Sequence, residues 1–354
     1  MKNFRRIGVL TSGGDAPGMN AAVRAVVRAA LANNVEVMGI YRGYSGLIDG
    51  DVKPLAIRDV SNIINKGGTV LYSDRCPEFK TEEGMSRAIE TCKKLCIDGI
   101  VAIGGDGTFR GATDLTAHGI PCVGIPATID NDISSTDNSI GYDTAMNTVI
   151  ELVDKLRDTC ESHARCNVVE VMGRGAGDIA LNAAIASGAT ACVIPEFPYD
   201  TEQICDKINK ARKIGKRNFI VIVSEGVGSE YAPMLASKIE AATGVETKFA
   251  RFAHIVRGGS PNLRDRVMAS SMGVFAVREL LAGNSNLVIC NRNGDIESVD
   301  INFALKLDRM YKGKLKDGDL DEFTAEQVEK MKALVEERRR EMAVLYDVAN
   351  TINL

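Results

Sequence analysis

The chain has 354 residues, of which 45% are apolar and 25% charged, and this composition is typical of a globular protein with about two domains. Its 43 basic and 47 acidic side chains give a formal net charge of −4, which excludes a strongly basic nucleic-acid coat and a polybasic membrane surface. From this charge balance we expect no nucleic-acid partner. The sequence carries neither a long apolar run nor a signal-peptide core, so we also expect no membrane span. Nine cysteines without paired spacing favour a reducing cytoplasm.

Short apolar runs alternate with helical patterns along the chain. The runs stand at 7–11, 36–41, 100–105, 121–126, 168–173, 190–195, 219–226 and 286–290. Continuous apolar strands separated by helices are typical of parallel sheets that are covered on both faces. The sequence therefore predicts an α/β fold with more strands than one small sheet needs.

Polar loops, four of which contain glycine, follow five of these strands. In chain order they read SGGDAPGMN, GGDGTFRG, PATIDND, MGRGAG and SEGVG. Ligands of open parallel sheets bind beyond the carboxyl ends of the strands. The pattern therefore predicts that the chemistry is concentrated along one sheet edge.

The first two loops have the composition of phosphate sites. The loop from Gly13 to Asn20 lies between a strand and a helix, where glycine backbone and a helix N-terminus favour an anion, although a tight turn without ligand is the alternative. Met19 occupies the lysine position of a P-loop, so a Walker A site is rejected. In the second loop, Asp106 would be repelled by a polyphosphate unless a cation such as Mg²⁺ lay between them.

The third loop, Thr128 to Asp132, contains two carboxylates and follows a strand directly. A positioned carboxylate can accept the proton of a phosphoryl-acceptor hydroxyl, whereas an Asx-rich turn is the bland alternative. Guanidinium groups bind phosphate in a bidentate manner, and several arginines stand near these loops, namely Arg75, Arg165, Arg174 and Arg257.

The last part of the chain, from Thr324, is charged and helical. Thr324 and Gln327 have the spacing of a capping box, and an apolar stripe that also contains Arg338 follows them. We expect this helix to pack on the body of the protein or on a sister subunit.

The motifs LTSGGDAPGMNAA, GGT, GGDGT, PATIDND, VVEVMGR, SEG and HIVRGGSP follow one another in this order over most of the chain. In these motifs and in their order, the chain resembles the bacterial-type, ATP-dependent 6-phosphofructokinase family. The resemblance implies the phosphofructokinase fold, with two Rossmann-like parallel-sheet domains and here a C-terminal helical extension. It also implies a cytoplasmic homotetramer of glycolysis that uses Mg²⁺ to transfer the γ-phosphate of ATP to the 1-hydroxyl of fructose 6-phosphate, giving fructose 1,6-bisphosphate and ADP.

The resemblance also implies domain boundaries. Residues 1–140 plus 256–307 would form a nucleotide-binding domain, and residues 141–255 plus 308–322 a sugar-phosphate domain. Residues 323–354 would be the helical extension.

Site residues follow from the resemblance, motif by motif. Asp130 would be the catalytic base, Thr128 and Arg174 would stabilise the transferring phosphoryl group, and Asp132 would support the site. Asp106 would hold Mg²⁺, and the ATP site would comprise Gly14, Arg75, Cys76, Gly105, Asp106, Gly107 and Thr108. The sugar-phosphate site would comprise Thr128, Ile129, Asp130, Arg165, Met172, Gly173, Arg174, Glu225, Lys248, His254, Ile255, Val256 and Arg257.

Two features of the sequence leave alternatives open. Arg165 and Lys248 would reach the 6-phosphate from a neighbouring subunit, but Lys248 stands where the family has arginine, and Arg251 could take its place. Pyrophosphate-dependent relatives carry an aspartate and a lysine where this chain has Gly107 and Ala127, which favours ATP as donor. A pyrophosphate-dependent kinase and a non-catalytic sensor of nucleotide or sugar phosphate remain the alternatives.

Overall fold

The computed structural model describes residues 4–352. Its strands are β1 (Arg6–Thr11), β2 (Glu36–Ile40), β3 (Val52–Leu55), β4 (Gly99–Gly104), β5 (Cys122–Pro126), β6 (Cys166–Val171), β7 (Ala191–Val193), β8 (Phe219–Ser224), β9 (Thr247–Arg251), β10 (Leu287–Arg292) and β11 (Asp295–Asp300). Its α-helices are α1 (Met19–Ala32), α2 (Gly43–Asp49), α3 (Glu82–Lys94), α4 (Asp106–Ala117), α5 (Tyr142–His163), α6 (Asp178–Ser187), α7 (Thr201–Lys213), α8 (Tyr231–Thr243), α9 (Leu263–Ala282), α10 (Ile301–Tyr311) and α11 (Ala325–Ile352).

These elements form two compact units. Unit 1 contains residues 4–129, Ile133–Asp143 and Arg257–Val335. Unit 2 contains Asp130–Asp132, Thr144–Val256 and residues 336–352. The chain therefore passes from one unit to the other several times, and each unit is built from segments that are distant in sequence.

Unit 1 is organised around a seven-stranded sheet with the order β11-β10-β5-β4-β1-β2-β3. Strands β2, β1, β4, β5 and β10 are parallel, and the edge strands β3 and β11 pair antiparallel. Every residue of the central strand β4 is buried, as expected for a parallel strand with helices on both faces. Because β1, β4 and β5 are neighbours, the loops after their carboxyl ends lie side by side.

Small residues allow the helices of unit 1 to approach closely. A Cβ on Gly273 of α9 would lie 2.6 Å from the Ala25 Cβ and 3.0 Å from the Ala22 carbonyl oxygen of α1. Ala22 and Ala25 of α1 are buried where they meet this glycine. This close packing fixes α1, the helix that follows the first glycine loop.

Unit 2 contains a four-stranded, wholly parallel sheet with the order β7-β8-β6-β9. Strands β6 and β8 are completely buried, whereas the edge strand β9 exposes most of its residues. The loops after β6, β8 and β9 therefore share one end of this sheet, and they carry the motifs VMGR, SEG and HIVR.

The C-terminal helix α11 begins at the predicted capping box. The Gln327 amide nitrogen donates to Thr324 Oγ1 at 3.2 Å, and the Thr324 amide nitrogen donates to Gln327 Oε1 at 2.9 Å. In unit 1 the helix packs through Met331 and Val335 on α10. In unit 2 its Tyr346 ring stacks on Phe197 with centroids 4.3 Å apart.

The α/β fold with parallel sheets is confirmed, but the positions of some segments differ from the prediction. Residues 308–322 pack in unit 1 rather than with the sugar-phosphate segments, because Asp319 pairs with Lys306 and Arg309 of α10 at 2.8 and 3.0 Å. Helix α11 is divided between the units at Val335 rather than being a separate extension. Strands β3, β9 and β11 were not predicted, because edge strands lack a continuous apolar run.

The helices contained in residues 4–352 include none that is both long enough and apolar enough to cross a bilayer.

Candidate active site

In unit 1 the first and second glycine loops contact each other directly. Thr108 Oγ1 donates to the Ser12 carbonyl oxygen at 3.2 Å. The Gly13 amide nitrogen lies 3.4 Å from the Asp74 carbonyl oxygen, which places the segment of Arg75 and Cys76 beside the same loop. The structure thus brings together the three chain segments that the sequence analysis assigned to ATP.

The backbone of the second loop is open to a ligand. A Cβ built on Gly105 or Gly107 meets no atom within 4 Å. Gly105 is also the residue that precedes α4, so unsatisfied backbone N–H groups and the positive end of the helix dipole lie at this position. This geometry is suited to binding the phosphates of a nucleotide.

Asp106 is the first residue of α4, and its carboxylate pairs with Arg110 at 3.2 Å. Among the residues that the structure describes, no group of three or more His, Cys, Asp or Glu side chains is arranged to hold a metal ion. Mg²⁺ in nucleotide sites is commonly held by one or two carboxylates together with phosphate oxygens and water. A single aspartate beside an open phosphate loop therefore fits a magnesium ion that arrives with the nucleotide.

Arg257 lies on the first glycine loop. A Cβ on Gly14 would lie 2.7 Å from Arg257 Nη1, and Nη1 donates to the Asp15 carbonyl oxygen at 3.2 Å. The structure therefore places Arg257 among the nucleotide loops of unit 1. Val256, the preceding residue, is fully buried.

His254 and Ile255 belong to unit 2, in the short 3-10 helix that follows β9, and both are exposed. Their exposure leaves both side chains accessible to a ligand of that unit.

The segment Thr128–Asp132 passes from unit 1 to unit 2 between Ile129 and Asp130. Asp130 and Asp132 are each 7% exposed, and Asn131 between them is 3% exposed. Asn131 has a φ of 50°, in the left-handed region, which asparagine tolerates better than most residues. The two carboxylates are thus held in a buried and conformationally restricted segment.

Within unit 2, Arg174 contacts this segment, and Glu225 contacts the loop that carries Arg174. Arg174 Nη1 lies 3.5 Å from Asp132 Oδ2. The Gly173 and Arg174 amide nitrogens donate to Glu225 Oε1 at 3.1 and 2.7 Å, so Glu225 fixes the loop that carries the guanidinium. Met172, half-buried at the end of β6, precedes this loop.

Arg165 and Lys248 share one carboxylate, which the sequence analysis did not identify. Glu246 Oε2 lies 2.6 Å from Arg165 Nε, and Glu246 Oε1 lies 2.9 Å from Lys248 Nζ. These hydrogen bonds lower the pKa of Glu246 to about 2. The two predicted cations are therefore next to each other, and together they exceed the charge of their partner.

Arg251, the alternative to Lys248 in the sequence analysis, has its own partners in unit 2. Its guanidinium Nε lies 2.6 Å from Glu170 Oε1, and its Nη2 donates to the Ser229 carbonyl oxygen at 2.8 Å. Glu170 and Arg251 are direct partners in the β6–β9 ladder, and Glu170 is buried. This ion pair raises the pKa of Arg251 and commits its side chain to the sheet.

Arg338 is a further residue near the predicted site, and the sequence analysis gave it no role. Its Nη2 donates to the Asn131 carbonyl oxygen at 2.6 Å and lies 3.4 Å from Asp178 Oδ1. The signal in the sequence was a charged residue on the apolar stripe of a helix.

Comparison with known proteins identifies the family. The sequence model of the family described as Phosphofructokinase matches residues 6–280. A protein of Bacillus velezensis named ATP-dependent 6-phosphofructokinase is 54% identical over 298 residues, which cover 84% of this chain and 93% of that protein.

Solved structures agree with this assignment. The phosphofructokinase of Saccharomyces cerevisiae superposes with a TM-score of 0.83 and 32% identity over 94% of this chain. That of Pichia pastoris, solved in the T-state, superposes with a TM-score of 0.85 and 31% identity over all of it. The chain spans 50% of the Saccharomyces chain and 40% of the Pichia chain. Together with the match over residues 6–280, these similarities show that the chain belongs to the phosphofructokinase family.

Proposed function

We propose that this chain is an ATP-dependent 6-phosphofructokinase, which transfers the γ-phosphate of ATP to the 1-hydroxyl of fructose 6-phosphate. The observation that carries the proposal is the buried segment Asp130–Asp132, which continues directly from a unit with an open phosphate loop and is paired with Arg174. The names of the relatives that are 54% identical support the same reaction.

The proposed mechanism begins with Asp130. Its carboxylate accepts the proton of the 1-hydroxyl as that oxygen forms its bond to the γ-phosphorus. The bond between the γ-phosphorus and the bridging oxygen of ADP breaks, and ADP leaves with the electron pair. Thr128 and Arg174 donate hydrogen bonds to the transferring phosphoryl group, and Asp132 orients Arg174 through their ion pair.

Binding of the two substrates is divided among the loops. Gly14, Arg75, Cys76 and the residues from Gly105 to Thr108 bind ATP. Asp106 would hold Mg²⁺, which when bound neutralises negative charge on the phosphates. The sugar phosphate is held by Met172, Gly173, Arg174, Glu225, His254, Ile255, Val256 and Arg257.

Arg165 and Lys248 complete the proposed site from a neighbouring subunit of a cytoplasmic homotetramer. They lie together on Glu246, so they present a compact double cation suited to the 6-phosphate.

ATP is favoured over pyrophosphate by two positions. Gly107 is exposed and a Cβ there meets nothing within 4 Å, so no carboxylate crowds the phosphates of ATP. Position 127, just before the aspartate segment, is a buried alanine and not a lysine, so it offers no positive charge.

The test compares wild-type protein with Asp130→Asn in a coupled assay that supplies either ATP or pyrophosphate. We expect wild-type turnover with ATP to exceed that with pyrophosphate clearly. Because the amide cannot accept the proton, we expect kcat of Asp130→Asn to fall by about 10²–10⁴-fold while fructose 6-phosphate binding stays close to wild type. A pyrophosphate preference would overturn the donor, and wild-type turnover by Asp130→Asn would overturn the base.

A further inference from the structure

Arg338 lies in a buried polar cluster of unit 2. Its side chain is 14% exposed and its ion-pair partner Asp178 is 13% exposed. Glu196 is the second carboxylate of the cluster, and its Oε1 accepts a hydrogen bond from the Gly177 amide nitrogen at 2.8 Å. The guanidinium therefore contacts one carboxylate and one main-chain carbonyl, and its charge also acts on Glu196.

The charge of Arg338 is required by its surroundings. Burial raises the pKa of Asp178 and of Glu196, and Arg338 acts in the opposite direction on both. Removing one partner of a buried ion pair leaves a charge without compensation, which is costly. Asp178 therefore holds the guanidinium in place, and a neutral residue at position 338 would leave the carboxylates facing each other.

The main-chain acceptor of Arg338 is the carbonyl of Asn131, the residue between Asp130 and Asp132. This carbonyl belongs to the peptide plane that joins Asn131 to Asp132, and Asn131 has a positive φ of 50°. A residue in this region keeps its conformation only where its surroundings determine it. The guanidinium provides such a determinant, because its Nη2 contacts both the Asn131 carbonyl oxygen and the Asp178 carboxylate.

We propose that Arg338 is a positioning residue for phosphoryl transfer, which acts from the C-terminal helix by holding the Asn131 carbonyl and thereby the directions of the Asp130 and Asp132 carboxylates. The inference rests on the proposed role of Asp130 as the base. The match to the family model ends at residue 280, so Arg338 lies outside the region that defines the family. The arrangement makes a part of the chain beyond that region necessary for full turnover.

The test uses full-length Arg338→Ala and Arg338→Lys, with Arg340→Ala as the control on the same helix. Arg340 is exposed, so its replacement removes a charge from α11 without entering the cluster. Initial rates give kcat and the KM values for ATP and fructose 6-phosphate, and thermal melting and circular dichroism establish that each variant is folded.

We expect kcat of Arg338→Ala to fall about 10- to 100-fold, because small misplacements of catalytic groups cost this much. The KM for ATP should stay within about twofold of wild type, since the nucleotide loops belong to unit 1 whereas Arg338, Asn131 and Asp178 belong to unit 2. Lysine keeps a positive charge near Asp178, but its shorter side chain lacks the planar guanidinium that reaches the Asn131 carbonyl, so kcat of Arg338→Lys should fall about tenfold. Millimolar guanidinium should restore part of the turnover of Arg338→Ala and leave Arg340→Ala unchanged.

A purely structural role would lower the melting temperature and leave kcat of the folded protein at the wild-type value, and this result for Arg338→Ala would overturn the proposal. If Arg338→Ala does not fold, Arg338→Lys decides: a reduced kcat with unchanged KM for ATP supports the proposal, and wild-type kcat overturns it. Asp130→Asn, assayed in parallel, separates the two hypotheses. An inactive Asp130→Asn beside fully active Arg338 variants refutes the positioning role alone, whereas an active Asp130→Asn refutes the proposed base.

Discussion

Replacing Gly104 with alanine tests whether the ends of β1 and β4 hold the two glycine loops together. A Cβ on Gly104 would lie 2.3 Å from Thr108 Oγ1 and 2.4 Å from the Ser12 carbonyl oxygen. Both distances are at least about 1 Å shorter than an optimal non-bonded separation. The Ser12 oxygen belongs to the main chain at the end of β1, so it cannot rotate away as a flexible side chain would.

The expected cost lies at the upper end of the range for overpacking, about 3 kcal/mol. At roughly 2–4 °C per kcal/mol, the melting temperature of Gly104→Ala should fall by roughly 6–12 °C. Relief of the clash also moves the loop of Asp106 and Thr108, so the KM for ATP should rise about tenfold.

Two neighbouring glycines provide matched controls, because a Cβ on Gly105 or Gly107 meets nothing within 4 Å. Gly105→Ala should change the melting temperature by less than about 4 °C, the cost of a poorer helix cap, yet raise the KM for ATP, since its methyl group occupies the space of the phosphates. Gly107→Ala should leave the melting temperature close to the wild-type value, because its methyl group meets no atom within 4 Å. Differential scanning calorimetry and initial rates measure both effects. Equal melting temperatures for Gly104→Ala and Gly107→Ala would refute the packing argument.

Two ion pairs give further predictions. Arg165 and Lys248 hold the pKa of Glu246 at about 2, below its ordinary 4.5, so the stabilisation that Glu246 provides is complete above pH 4.5 and is lost as the pH falls towards 2. In urea unfolding, the stability difference between wild type and Glu246→Gln should narrow as the pH falls below 4.5, and a gap that does not vary with pH would contradict the pairing. Arg251→Met leaves the buried carboxylate of Glu170 without this partner and should lower the free energy of unfolding. Adding Glu170→Gln should recover part of this loss, and equal losses in the single and double variants would count against the ion pair.

The fold of the chain could largely be predicted from its apolar runs, and the reason is physical. The central strands β4 and β8 are buried along their whole length, and their sequences GIVAIG and FIVIVS are almost continuously apolar. The edge strand β9 exposes most of its residues and β3 contains Pro54, so neither produces such a run. The sequence pattern therefore identified the interior strands of each sheet and the edge strand β7, and it missed the edge strands β3, β9 and β11.

The nucleotide loops were predictable for a related reason. Parallel neighbouring strands end at one edge, so the loops after β1 and β4 had to meet, as Thr108 and Ser12 do. The partners of Arg251 and Arg338 were not predictable in this way. Arg251 meets Glu170 only through the strand register, and Arg338 meets Asn131 across 207 residues of sequence.

The interleaving of the two units has a consequence for how the protein folds after synthesis. Unit 2 takes its segments from residues 130–132, 144–256 and 336–352, so its last segment is synthesised only after all the segments of unit 1. Neither unit can fold completely while the chain emerges, because each one needs a segment that is synthesised later. Contacts between segments that are distant in sequence must therefore form before either unit is complete. We therefore expect slow maturation, with apolar surface accessible to chaperones until residues 336–352 have been synthesised.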